Sequence, residues 1–249
     1  MTDPDEALRS QAETFACNIT ATVQAAFGDR VPPFRVVGRP GTRLARFYVR
    51  QEEAEGIILH VEGRPLLRLL VTYQCTWDHR GAYLAVDKSS VEVLAPGTTE
   101  PLFRYDYLRN ANRVACAHLQ VYAHRDALTW AMSAAGTRSR RSRRRINAAD
   151  EGTRLPRLGD LHFPLGGARF RPCLEDILQM LADELGVDMD SGAHDALADG
   201  RQRWRLDQLA AAVRDSPQTA VKVLEELRYR VEQPAEGASP DRTERLRAL

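Results

Sequence analysis

Polar side chains that could perform acid–base chemistry recur at alternate positions near the middle of the chain. Four of them share one face of a predicted strand: His118, Gln120, Tyr122 and His124. On a neighbouring predicted strand, Arg104 and Asp106 share a polar face. A histidine beside these two groups suits metal-independent RNA cleavage, with His118 as general acid and base and Arg104 stabilising the charged phosphorane.

Strand geometry restricts this hypothesis. At about 3.3 Å per residue, His118 and His124 lie roughly 20 Å apart on a regular strand, so only one of them can act with Asp106. We take His118, Asp106 and Arg104 as the candidate catalytic set. The alternative interpretation is a half-exposed polar face of the sheet with no catalytic role.

A run of arginines is the second feature with chemical consequences. Six guanidinium groups fall within eight residues: Arg138, Arg140, Arg141, Arg143, Arg144 and Arg145. Such a run can make strong, salt-sensitive contacts with nucleic-acid phosphates. It contains no aromatic residue for base stacking, and a solvated linker between two domains would have the same composition.

Residues 204–229 have the spacing of a helix-turn-helix, in which a short turn sets a second helix at a steep angle for entry into a major groove. Two positions depart from that pattern, because Arg214 replaces the usual turn glycine and Asp215 replaces the usual apolar residue. Glu225 and Glu226 on the outward face of the second helix would repel DNA. The alternative is a helical hairpin that packs on a helix at 172–185.

Composition excludes several classes of protein. The net charge is only +1, so any attraction to nucleic acid or membrane must be local. The four cysteines lack Cys-x-x-Cys spacing, which argues against a zinc site and a disulfide framework. The first residues contain no apolar segment typical of a secretory signal, and the longest apolar run is interrupted by Arg68. We therefore predict a cytoplasmic protein with reduced thiols, no membrane partner, no metal and no cofactor.

The elements that must position these groups are predicted from periodicity. Apolar residues at every third or fourth position indicate a helix at 5–27, and alternation indicates strands at 34–38, 43–50, 56–61, 66–77, 81–94, 101–107 and 117–124. Further helices are predicted at 172–185, 201–214 and 216–232, with one or two helical turns at 126–135. Short connections between strands favour an antiparallel, curved sheet, so the predicted fold class is α+β.

The same patterns divide the chain into four predicted parts. Residues 1–135 form a domain with an N-terminal helix and an antiparallel sheet. Residues 136–159 form a basic flexible linker, because they contain almost no large apolar side chains. Residues 160–232 form a small helical domain, and residues 233–249 form a disordered tail.

Two resemblances accompany these patterns. The block Leu161–Asp176, with Arg104-Tyr-Asp106 and His118-Leu-Gln-Val121, resembles an uncharacterised protein family of high-GC, actinobacterial-type bacteria. The segment from about residue 60 to residue 124 resembles the sheet domain of TumE-type toxin–antitoxin proteins. The resemblance consists of a hairpin strand, the Arg-Tyr-Asp triplet and a later His-bearing strand. The second resemblance implies a toxin–antitoxin role.

These observations lead to one leading function and two alternatives. The leading prediction is a non-catalytic interaction or regulatory protein, whose partner is another protein, or RNA or DNA bound through the arginine run. The first alternative is a metal-independent ribonuclease of toxin–antitoxin type. The second is a DNA-binding regulator of the helix-turn-helix class. The sequence does not determine the oligomeric state.

Overall fold

One antiparallel sheet, with helices before and after it, forms the architecture of the protein. A computed structural model describes residues 4–38, 46–52, 55–111, 114–122, 140–155, 157–160, 163–165 and 169–247. Every strand pair in these segments is antiparallel. The predicted α+β fold class is therefore confirmed.

The strands are β1 (Phe34–Gly38), β2 (Phe47–Gln51), β3 (Ile57–Val61), β4 (Arg64–Trp77), β5 (Leu84–Leu94), β6 (Pro101–Leu108), β7 (Ala117–Val121) and β8 (Phe163–Pro164). The helices are α1 (Pro4–Phe27), α2 (Arg140–Asp150), α3 (Leu174–Leu185), α4 (Ala193–Asp215), α5 (Pro217–Glu226) and α6 (Thr243–Leu246). A short 3₁₀ helix spans Leu158–Asp160.

The long strand β4 organises the sheet. The strand order is β1-β2-β4-β5-β6-β7-β8, and β3 also pairs with β4. Because β4 is 14 residues long, two short strands share one of its edges: β2 pairs near Thr72–Cys75, and β3 pairs near Arg64–Leu69. The other edge of β4 pairs with β5 over Arg68–Trp77.

One face of the sheet holds the hydrophobic core. Alternation along β4 directs Leu67, Leu69 and Val71 into it, as the sequence pattern predicts. The apolar side of α1 covers this face, and its core contacts recur at helical spacing. Apolar side chains of α3 and α4, among them Leu178 and Leu197, are buried in the same core. The helical half and the sheet half of the chain therefore share one core.

Helix boundaries differ from the sequence-based predictions for local reasons. α3 begins at Leu174 rather than at residue 172, because the backbone N–H of Cys173 is capped by the carboxylate of Asp176 at 3.1 Å. α4 begins at Ala193, two turns before its predicted start. It includes Gly200, where any side chain would collide with Glu175. α5 ends at Glu226, close to Arg228, which has a positive φ of 68°.

The predicted linker and tail contain local structure. α2 lies inside the segment 136–159 and ends at Asp150. Gly152, two residues later, has a φ of 68°, and the Thr153 amide donates to the carbonyl of Ala148. In the predicted tail, α6 follows Arg242, whose amide donates to the carbonyl of Asp215 at 2.7 Å. The domain boundaries stay predictions, and the turns predicted at 126–135 lie outside the described residues. None of the helices in the described segments combines the length and apolarity needed to cross a membrane.

Candidate functional site

The sheet brings the three predicted catalytic residues together on the face opposite the core. In the pairing of β6 with β7, Asp106 lies opposite His118, and Arg104 lies opposite Gln120. Ser90 lies opposite Asp106 in the pairing with β5. We call Ser90, Arg104, Asp106, His118 and Gln120 the polar cluster. His124, the other histidine considered from the sequence, is outside the described residues.

Asp106 is the centre of the polar cluster. Its Oδ2 lies 2.9 Å from Arg104 Nε and 3.7 Å from His118 Nε2. Its Oδ1 accepts a hydrogen bond of 2.7 Å from the Ser90 hydroxyl. Arg104 Nε also donates to Gln120 Oε1 at 2.7 Å. The carboxylate thus joins side chains from three strands.

The environment of His118 limits its chemistry. Its ring is 2% exposed, and Nδ1 lies 2.7 Å from the carbonyl oxygen of Ala115. Because a carbonyl oxygen only accepts, we assign the proton to Nδ1, and Nε2 is then the nitrogen that faces Asp106. A general acid or base must come within hydrogen-bond reach of the substrate atom. This ring is covered, so a substrate could reach it only after the covering chain moved.

The short 3₁₀ helix at Leu158–Asp160 is attached to this face of the sheet. Gln120 Nε2 donates to the carbonyl of Gly159 at 2.8 Å. A side chain on Gly159 would lie 2.8 Å from the ring of Tyr122, so only glycine permits this close approach. The polar cluster therefore links β5, β6, β7 and the short 3₁₀ helix through side-chain hydrogen bonds.

The arginine run lies largely on α2. Five of its six arginines occupy the first six positions of this helix, which span about 8 Å along the helix axis. Arg143 and Arg144 are exposed, and the first turn contains no acidic residue. Arg138 lies outside the described residues. The helix concentrates positive charge along a short length.

The predicted helix-turn-helix consists of α4 and α5 with only Ser216 between them, rather than the three or four residues typical of that motif. Asp215, which occupies the usual apolar position, is 4% exposed. Its Oδ2 accepts hydrogen bonds from Nε and Nη2 of Arg169 at 2.8 and 2.7 Å. This ion pair explains how a carboxylate occupies a buried position at the junction.

Sequence reasoning missed a second group of arginines, which line one cavity of about 570 Å³: Arg109, Arg169, Arg171, Arg203, Arg214, Arg242 and Arg245. They come from separate segments, so no spacing pattern identifies them. Within the described segments, no group of three or more His, Cys, Asp or Glu residues could hold a metal ion.

Comparisons with known proteins add no further assignment. No protein-family model, curated protein or solved structure matches this chain.

Proposed function

We propose that this chain is a non-catalytic interaction or regulatory protein that contacts the phosphates of RNA or DNA through the arginines of 138–145. One observation carries the proposal: α2 places five arginines on six consecutive helical positions with no carboxylate in its first turn. Phosphate contacts of this kind provide affinity without reading the base sequence. We therefore expect binding that depends on charge density rather than on sequence.

A cytoplasmic location belongs to the same proposal. All four cysteines are free thiols, and three of them are buried without a disulfide partner. Free thiols persist in reducing compartments, whereas secreted proteins of this size commonly oxidise them. This observation supports the proposed location.

Salt-dependent binding tests the proposal. Fluorescence anisotropy can measure the affinity for a labelled 20-nucleotide single-stranded RNA and for a duplex DNA of the same length. The measurement is repeated at KCl concentrations from 25 to 300 mM. A plot of the logarithm of the association constant against the logarithm of the salt concentration should be linear. Its slope should be about −0.7 per phosphate contacted for the single strand and about −0.9 per phosphate for the duplex. Replacing all six arginines of 138–145 with serine should remove most of the affinity.

A charge-matched control separates a local surface from the net charge. Six exposed arginines outside this run can be replaced by serine together: Arg9, Arg35, Arg64, Arg80, Arg228 and Arg230. Both variants lose six positive charges. Equal loss of affinity in the two variants, or no binding by the natural chain at 25 mM KCl, contradicts the proposal.

A ribonuclease is the second candidate, because the Nε2 atom of His118 lies 3.7 Å from Asp106. Burial of His118 favours the non-catalytic proposal. If the chain is a ribonuclease, replacing His118 with alanine should reduce RNA cleavage by about 10²–10⁴-fold, the usual contribution of a general acid or base. Replacing the exposed His60 should leave it unchanged. RNA cleavage that survives in Asp106→Asn and His118→Ala, with circular dichroism showing folded variants, excludes the polar cluster as its source.

A further inference from the structure

The cavity of about 570 Å³ has the size of a small-molecule binding site, since such sites commonly enclose 300–1,000 Å³. It lies between α1, the β4–β5 hairpin, the end of β6, the segment before α3 and the helix α4. Arg242, which directly precedes the helix α6, and Arg245, which lies within it, close one side. Residues from six parts of the chain therefore form its wall.

Positive charge dominates this wall. Seven arginines and four carboxylates line the cavity, which gives an excess of three positive charges. The carboxylates of Asp215 and Asp78 already bind protein groups. Asp215 accepts from Arg169, and its Oδ1 also lies 3.3 Å from Arg242. Asp78 accepts the backbone N–H groups of Ala82 and Tyr83 in the hairpin turn.

Three of these arginines contact other side chains of the wall. The guanidinium of Arg171 lies 3.8 Å from the ring centroid of Tyr107, and that of Arg214 lies 4.6 Å from the ring centroid of Tyr83. The planar fork of N–H donors in a guanidinium suits bidentate contact with a phosphate or carboxylate. Arg203 donates from Nη2 to the Thr22 hydroxyl at 3.0 Å.

Burial is the main cause, and a neighbouring arginine a lesser one, of a lowered pKa at two of these guanidinium groups. Burial lowers the pKa of Arg109, and the nearby charge of Arg245 lowers it further. Burial also lowers the pKa of Arg171, and Arg169 adds to this effect. Like charges held together with little water are costly, and a bound anion would relieve that cost.

The rest of the wall is suited to an uncharged part of a ligand. Phe15, Ile19 and Val86 contribute apolar surface, and Trp204 contributes a large aromatic ring. The Oε1 atom of Gln208 is buried and accepts no hydrogen bond from the part of the chain that the structure describes. It could accept one from a ligand hydroxyl or amine, since buried polar atoms are normally paired.

We propose that this cavity binds an organic phosphate of nucleotide size, with its phosphate groups held by the arginines and its uncharged part against the apolar wall. One phosphate ester carries about −1.5 to −2 charges at pH 7, and the excess of three positive charges on the wall exceeds that of a single ester. A diphosphate fits this excess more closely. This site is separate from the arginine run on α2 and does not depend on the function proposed for that run.

Isothermal titration calorimetry on the full chain in 0.15 M KCl tests the site, with ADP, inorganic pyrophosphate and adenosine as probes. We expect one ADP per chain, and no binding of adenosine. Replacing Arg203 or Arg214 with glutamine should weaken ADP binding by about tenfold or more, because each loses a hydrogen bond from a charged donor. Arg230→Gln, at an exposed arginine outside the cavity, is the matched control.

Several results would overturn the proposal. These are no ADP binding at millimolar concentration, binding of adenosine as tight as that of ADP, or equal weakening by Arg230→Gln and the two cavity variants. Binding of pyrophosphate without binding of ADP would overturn the nucleotide-sized ligand. The variant with serine at all six arginines of 138–145 should retain ADP binding. Loss of ADP binding in that variant would place the phosphate contacts on α2 and overturn the cavity site.

Discussion

Replacing Asp215 with alanine should lower the free energy of unfolding by about 3 kcal/mol, because removal of one partner from a buried ion pair costs about 3–5 kcal/mol. The Asp215 side chain is 5% exposed, whereas Arg169 and Arg242 are 27% and 24% exposed. Water can therefore rehydrate the two arginines once the carboxylate is gone. That partial access places the expected loss at the lower end of the range.

The two arginines should contribute unequally. Arg169 directs two donors to one oxygen of Asp215, at 2.8 and 2.7 Å. Its coupling free energy with Asp215 should therefore be about 1.5–2 kcal/mol, near the lower limit for hydrogen bonds to charged groups. The value is low because both donors bind the same oxygen, whereas a bidentate pair uses both carboxylate oxygens. Arg242 makes one contact of 3.3 Å. Its coupling should be below about 1 kcal/mol, as for a solvent-accessible pair.

Urea unfolding of two double-mutant cycles measures both couplings, with alanine at Asp215 and at each arginine in turn. Asp207→Ala is the matched control, because this carboxylate lies on the same helix but is exposed. It should change stability by less than about 0.5 kcal/mol. A coupling with Arg169 below that with Arg242 would refute the assignment of Asp215–Arg169 as the principal pair.

Three further predictions concern other parts of the fold. Gly56→Ala should destabilise the protein more than Gly63→Ala. Both positions have a positive φ, but a Cβ at Gly56 would collide with the backbone carbonyl of Leu69, whereas a Cβ at Gly63 would meet nothing within 4 Å. Equal urea midpoints for the two variants would contradict this. At pH 8, a disulfide reagent should modify the exposed Cys17 rapidly and the other three thiols only on unfolding, because those three are buried. Burial also raises the pKa of Cys75 to about 12, so this thiol is not ionised at pH 8. Rapid modification of a second thiol in the folded protein would refute the prediction. Asp176→Asn should cost about 1 kcal/mol in urea unfolding, the usual value of a helix cap. Burial acts to raise the pKa of Asp176, but the capping N–H of Cys173 and the guanidinium of Arg201 outweigh it, so the pKa in the folded protein is lowered. The stabilisation by Asp176 is therefore present above the ordinary carboxyl pKa and is lost as the pH falls through the pKa of the folded protein. A stability difference between the variant and the natural chain that persists unchanged at pH 2 would contradict this.

Local patterns in the sequence determine much of the sheet. Alternating polarity predicts β4 and β6 within two residues at each end, because side-chain direction in a strand has a period of two. The same period predicts that Asp106 and His118 lie on polar faces. Their actual contact depends on the register between β6 and β7, which the alternation alone does not set.

Burial and long-range contact are decided by the tertiary structure. Alternation predicts a polar face for His118, but the packing around β7 leaves it 2% exposed. Asp215 departs from the apolar pattern of its motif, and only the approach of Arg169, 46 residues earlier, makes it stable there. The seven arginines of the cavity range from Arg109 to Arg245. Periodicity describes neighbours along one element, whereas a cavity is formed by groups that only folding brings together.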